Sequence, residues 1–149
     1  MRDRRIPSAL LVALVALVLA VAAAGCGARG DGPPPIRAGT ACARCGMGIE
    51  DLKFPATRRV ETKWLAYDAI ECLIADRARL EGGPAWLTDY ETKALLPEDS
   101  AWVLHGDFPS PMGGGLAAFA DRAVAESLAV VVNGRVTRLA ELGPAGSTP

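Results

Sequence analysis

The stretch Ala56-Thr57-Arg58-Arg59-Val60-Glu61-Thr62-Lys63-Trp64-Leu65-Ala66-Tyr67-Asp68 decides how this chain folds. It holds two short β-prone runs, 56–61 and 64–67, parted by polar Thr62-Lys63, which is the pattern of a hairpin. Asp68 then suits a helix N-cap, because a short carboxylate can accept from the amides of the first turn. Beyond it, Ile70, Leu73, Ile74, Arg77 and Leu80 fall on one helical stripe, and Gly82-Gly83-Pro84 stops the helix. Strand, turn, strand and helix make one ββα unit.

Downstream, Trp86-Leu87-Thr88-Asp89-Tyr90 and Ala101-Trp102-Val103-Leu104 read as strands joined through a loop with Pro97. Leu116, Phe119, Ala120 and Ala123 recur at helical spacing. Ala129-Val130-Val131-Val132 and Arg135-Val136 flank Asn133-Gly134, a strong hairpin signal. A short final helix from Thr137 would turn Leu139 and Leu142 inward. The halves resemble each other, each with a Met-Gly loop followed by strand, turn, strand and helix. The fold class expected is therefore α+β, with two small ββα-type halves at about residues 40–83 and 84–142. An approximate two-fold would bring Met47 and Met112 to equivalent places.

The N-terminus carries Arg2, Arg4 and Arg5, then an apolar run over 9–24 that is short for a membrane span. This reads as a secretory signal over 1–25. Cys26 follows small residues, as in a bacterial lipobox, so the expectation is lipid on Cys26. Residues 26–39, with Pro33-Pro34-Pro35, would form a Gly- and Pro-rich tether and 143–149 a loose tail. The folded part, 40–142, is the size of one small domain. The expected location is the bacterial cell envelope, anchored to a membrane by lipid and facing the periplasm. The formal net charge is −1, and no basic patch argues for nucleic acid.

Exported cysteines usually pair, but with Cys26 lipidated an odd number remain: Cys42, Cys45 and Cys72. A Cys-x-x-Cys such as Cys42/Cys45 serves zinc, dithiol redox chemistry, a plain disulfide or a soft metal. Structural zinc needs four ligands, yet there is no second such pair and His105 is the only histidine. A thioredoxin-type pair sits between a strand and a long helix, whereas this one precedes Gly46-Met47-Gly48.

The two methionines left after signal removal, Met47 and Met112, lie among turn residues, where core filling does not call for them. Thiolate and thioether sulfurs select Cu(I). One thiolate from Cys45 with thioethers from Met47 and Met112 would make a neutral site. Cys42 would be a fourth sulfur or its redox modulator. Cys72 lies more than a quarter turn from the Ile70/Leu73/Ile74 stripe and reads as a structural cysteine. His105 reads as a hydrogen-bonded or surface residue, and Asp89-Tyr90 as turn chemistry. No Ser-His-Asp set, paired carboxylates or phosphate loop suggests an enzyme.

The ordered set Cys42-x-x-Cys45-Gly46-Met47, Tyr67-Asp68-Ala69-Ile70-Glu71-Cys72, Thr88-Asp89-Tyr90, Ala101-Trp102-Val103 and Pro111-Met112-Gly113 resembles the NosL family of lipoprotein copper chaperones. The resemblance spans roughly residues 40–142. It implies Cu(I) as the bound ion, with nitrous oxide reductase as client and an ABC-type maturation complex as docking partner. It also implies Cys45, Met47 and Met112 as ligands, and a fold of two ββα-type halves. Cys42 is optional in such proteins, leaving a two-thiolate site or a blocking disulfide open. The competing reading is a thiol redox lipoprotein using Cys42 and Cys45. The fold class also resembles organomercurial lyase, which would require a Cys pair plus a proton-donating acid.

Overall fold

The computed structural model describes residues 32–143; the signal segment and Cys26 lie outside them, as does the tail beyond Gly143. Among the described residues no helix is long and apolar enough to cross a membrane.

The hairpin forms as expected, with β1 at Ala56–Val60 and β2 at Lys63–Tyr67 in antiparallel register from Ala56↔Tyr67 to Val60↔Lys63. Its turn is Glu61-Thr62, one residue earlier than expected, because Glu61 takes the left-handed φ of 53°. Helix α1 runs Ile70–Arg77, and its N-cap is Ala69 with no side-chain cap bond. Asp68 is buried instead of capping. The helix stops three residues short of Leu80 because Arg58 captures the exit. The Arg58 guanidinium donates to the carbonyls of Leu80 at 2.9 Å and Gly83 at 3.3 Å. Tyr67 ties β2 to α1 by donating its hydroxyl to Asp76 at 2.8 Å, within the core.

After α1 the chain returns as β3, Ala85–Thr88, which pairs with β1, and β4, Leu95–Pro97, which pairs with β3. β4 was hidden in the stretch read as a Pro97 loop. Pro97 is tolerated there because β4 is an edge strand. The first sheet has the order β2-β1-β3-β4, so it extends past residue 83, the expected end of the first half.

The second sheet corrects two helix-versus-strand readings. β5 is Trp102–His105 and β6 is Leu116–Phe119, not the start of a helix. All four β6 residues are buried, which erased the polar alternation that would have marked a strand. Leu116 and Ala118 point into one core cluster with Val103, while Ala117 and Phe119 point into another with Leu104. Side chains alternate faces along a strand, and here both faces are covered.

Helix α2 then spans Arg122–Val131, so Ala129-Val130-Val131 is the end of a helix rather than a strand. Asp121 caps it by accepting from the Ala123 amide at 2.7 Å. Asn133 and Gly134 form its C-terminal stop, not a hairpin turn. Asn133 is left-handed at φ 49° and the Gly134 amide reaches back to Ala129 at 2.8 Å, the bonding of a Schellman motif. β7, Arg135–Thr137, pairs with β5, giving the order β6-β5-β7, and a 3-10 turn at Leu139–Glu141 buries Leu139. The two halves are thus hairpin, helix and returning strand: β1β2α1β3 and β5β6α2β7. The duplication is present, but in the second half different residues build it.

The halves are joined by a buried acid. Asp89 forms a bridge with Ala118 and accepts through Oδ1 from the amides of Glu91 and Thr92 at 3.0 and 2.7 Å. Its Oδ2 accepts from Ala120 of the second half at 2.6 Å. Asp89 was read as turn chemistry; it does cap a turn, but its second oxygen makes it a tie between sheets. Burial alone would raise its pKa, and the amides of Thr92 and Ala120 outweigh that and hold it below the ordinary 3.8.

A carboxyl with a depressed folded-state pKa contributes stability above its unfolded value, and loses it as pH falls through the folded one. Asp89→Ala should cost about 2–4 kcal/mol at neutral pH. The difference from the parent should shrink at an acid pH below 3.8, as the folded-state carboxyl takes up its proton. Chemical denaturation at both pH values measures this, and an equal loss at both would contradict the role given to Asp89.

Candidate metal centre

Residues 39–49 fold back on themselves. Ala41 and Gly48 form an antiparallel bridge, and Gly39 and Ile49 close its base through a 2.8 Å bond. At the tip, the Cys42 amide donates to Met47 at 2.8 Å and the Gly46 amide returns to Cys42 at 2.9 Å. Gly46 sits at φ 77°, a conformation L side chains resist, so the Cys45-Gly46-Met47 corner requires glycine. The Ala43 amide donates to Ala66 of β2 at 2.8 Å and docks the tip against the hairpin. The expected tether therefore joins the fold before residue 40. Pro33, Pro35 and Ile36 also line a groove of about 260 Å³ with Leu52, Pro55 and Leu95.

This docking sets the tip against the start of α1. The sulfurs of Cys42, Cys45 and Cys72 lie within 4.8 Å of one another. All three are free thiols, so the disulfide left open for Cys42 is absent between these residues here. Cys42 and Cys72 are each 3% exposed and belong to the main core cluster, while Cys45 faces solvent. Cys72, expected to be a structural cysteine off the apolar stripe, is the third member of the cluster. The stripe criterion missed it because the tip packs over the side of α1 that the stripe leaves uncovered.

The cluster is electrostatically asymmetric. Burial would raise Cys42, but the amides of Asp68, Cys45 and Arg44 and the Cys45 thiol favour its thiolate and bring it below the ordinary thiol value. Burial, with Cys42 and Cys45 beside it, pushes Cys72 well above that value. Of the two buried thiols, Cys42 is therefore the more readily ionised.

Met47 and Met112 are 48% and 42% exposed, and so are not core filler. Met47 lines a cleft of about 440 Å³, whose far wall is Pro109, Ser110 and Pro111, the residues just before Met112. Glu50, Asp51 and Asp68 give the cleft an acidic rim. Burial raises the Asp68 carboxyl, and the nearby charges of Asp51 and Glu50 add to the effect. His105, half-buried on β5, is outside the sulfur cluster.

The Met112 loop is held by Glu71, the neighbour of Cys72. Ser110 donates its hydroxyl to Glu71 Oε1 at 3.3 Å and accepts the Gly115 amide at 2.9 Å. Gly114 packs so closely that a Cβ there would meet Glu71 Oε1 at 2.5 Å. Burial raises the Glu71 pKa, although Ser110 and the amides of Gly114 and Leu116 oppose it. Oε2 is buried without a partner among the described residues. Nothing in one-dimensional spacing links residue 71 to residue 110, so the sequence carried no signal for this anchor. Glu71→Ala should release the loop, and amide hydrogen exchange over 109–115 should quicken about tenfold or more. Unchanged protection there would refute the anchoring role.

Comparison with known proteins follows the same outline. A family model described as NosL matches residues 33–146. The crystal structure of the copper chaperone NosL from Shewanella denitrificans has a TM-score of 0.64 with this chain at 18% identity. That match covers 76% of this chain and 99% of the other, and it establishes a shared fold. No curated protein matches the chain.

Proposed function

The chain belongs to the NosL family, and from that membership we propose that it is a Cu(I)-binding metallochaperone. The observation that carries this reading is the cluster of free Cys42, Cys45 and Cys72 sulfurs within 4.8 Å, beside a cleft walled by Met47 and the Met112 loop. Soft sulfur donors suit a monovalent soft ion better than oxygen-seeking ones. Cys45, Met47 and Met112 are the proposed ligands for exchange with partners, with Cys42 as a further sulfur. Their exposure fits a site that must be reached by an acceptor.

The chain performs no catalytic step in this scheme. It takes up Cu(I), holds it away from oxidants and other ligands, and passes it on by exchange of sulfur donors. The proposed client is nitrous oxide reductase, reached through an ABC-type maturation complex, as the family implies. Lipid on Cys26 would hold the protein at the membrane, facing the periplasm. The acidic rim of Glu50, Asp51 and Asp68 would attract the cation or a basic partner surface.

The redox alternative is less well supported. A dithiol catalyst needs its accessible cysteine to be the activated one, whereas here the thiol held low is buried Cys42 and the exposed one is Cys45.

Anaerobic titration of the chain with Cu(I) against a competing chelator should give about one ion per chain at tight affinity. Cys45→Ser should raise the Kd about 100-fold. Met112→Ala should slow delivery of the ion to a copper acceptor by about tenfold, since it removes a ligand from the exposed side. Copper binding indifferent to Cys45→Ser, or a reversible Cys42–Cys45 disulfide with no role for either methionine, would reject the chaperone reading.

A further inference from the structure

The exchange site leaves Cys72 without a task, yet its sulfur lies within 4.8 Å of those of both Cys42 and Cys45. We infer that Cys42, Cys45 and Cys72 form a second, inner station for Cu(I), a trigonal trithiolate that shares Cys45 with the thioether side. This rests on the copper reading above and extends it to how the ion is retained.

Geometry supports a three-sulfur site. At a metal–thiolate length of about 2.3 Å, three donors in a plane around one ion stand about 4 Å apart. The three sulfurs already lie within 4.8 Å of one another, so closure needs less than an ångström of movement. The donors are also held by separate elements. Cys72 stands in the first turn of α1, where its amide bonds to Ala69 at 3.1 Å, and the tip with Cys42 and Cys45 is pinned to β2 through Ala43. Such preorganisation is what a metal site requires of its scaffold.

The composition of the cluster selects the ion. Among the described residues no imidazole or carboxylate joins the three sulfurs, so the fourth ligand of a structural zinc site is missing from the group. Three-coordinate Cu(I) needs no fourth ligand. Binding converts three thiols to thiolates and releases their protons to solvent, and no electron moves, since copper stays Cu(I) throughout. The excess negative charge is offset by the amides of Asp68, Cys45 and Arg44 at Cys42 and by the positive end of α1 at Cys72. It is also partly hydrated on the exposed Cys45 side.

The two stations then divide the labour. The inner one, walled by Cys42 and Cys72 at 3% exposure, retains the ion away from water. The outer one, at Met47 and Met112, presents it. Cys45 stays bound while Cys42 and Cys72 are exchanged for thioethers, so the ion is never released to solvent. Glu71, adjacent to Cys72 in sequence, is bonded to the Met112 loop through Ser110.

The test uses the full chain and Cu(I) alone, under anaerobic conditions, with chelator competition and X-ray absorption. The double variant Met47→Leu/Met112→Leu should keep its Kd within about threefold of the parent and show three Cu–S bonds. Adding Cys72→Ser should raise the Kd about 100-fold and reduce the shell to two sulfurs. If the double methionine variant loses tight binding while the parent keeps it, the inner station is rejected and the chaperone reading stands. An unchanged Kd and shell on adding Cys72→Ser rejects it equally. If the parent itself takes up no Cu(I), both readings fall. Should Cys72→Ser fail to fold, as judged by circular dichroism, the double methionine variant, with Cys72 intact, still decides.

Discussion

The packing of the 42–47 tip against the first turn of α1 is the contact on which the rest of this molecule depends. Cys42 and Cys72 are at once core residues and members of the sulfur cluster. The apolar cluster that includes Tyr67, Ile70, Leu73, Leu87 and Val103 cannot close at that corner unless the tip is in place. The same packing therefore closes that corner of the core and brings the three sulfurs together. A small domain gains from this arrangement, because the donors are positioned by the same burial that drives folding.

Around that corner the fold repeats a single device, a hairpin whose first strand becomes the centre of a sheet when the strand after the helix returns to its free edge. In the first half β1 lies between β2 and β3, and in the second β5 lies between β6 and β7. The two copies are tied by polar groups rather than by apolar contact alone. Asp89 reaches from the end of β3 to Ala120, and Glu71 reaches from α1 to the Met112 loop. Both acids have partners across the halves, and donors favour the charge of each, but they outweigh burial at Asp89 and do not at Glu71. Asp89, with four donors, prefers its charge. Glu71, with one oxygen unpartnered, pays for it.

Much of the fold was legible in short-range pattern. The hairpin of β1 and β2, α1 with its Ile70, Leu73 and Ile74 face, and the buried turn at Leu139 all follow from neighbours in the chain. The errors share one cause. Leu116-Ala117-Ala118-Phe119 is buried on both faces, so its strand period is invisible, and Asn133-Gly134 suits a helix stop as well as a hairpin. β4 is only three residues long and shows too little pattern to read.

Residue chemistry in the chain pointed to sulfur as the candidate metal-binding element, because soft sulfur donors at unpaired cysteines and turn methionines have few structural uses. It also singled out Cys45 with Met47, since two donors flanking one glycine can be read from spacing alone. What only the tertiary structure decided is which distant groups meet: Cys72 with Cys42 and Cys45, and Glu71 with the Met112 loop. The physical reason is that a helical stripe shows which residues are apolar, but not what covers the remaining side. Here that cover is a loop some thirty residues earlier in the chain, docked by backbone hydrogen bonds whose donors and acceptors every residue possesses.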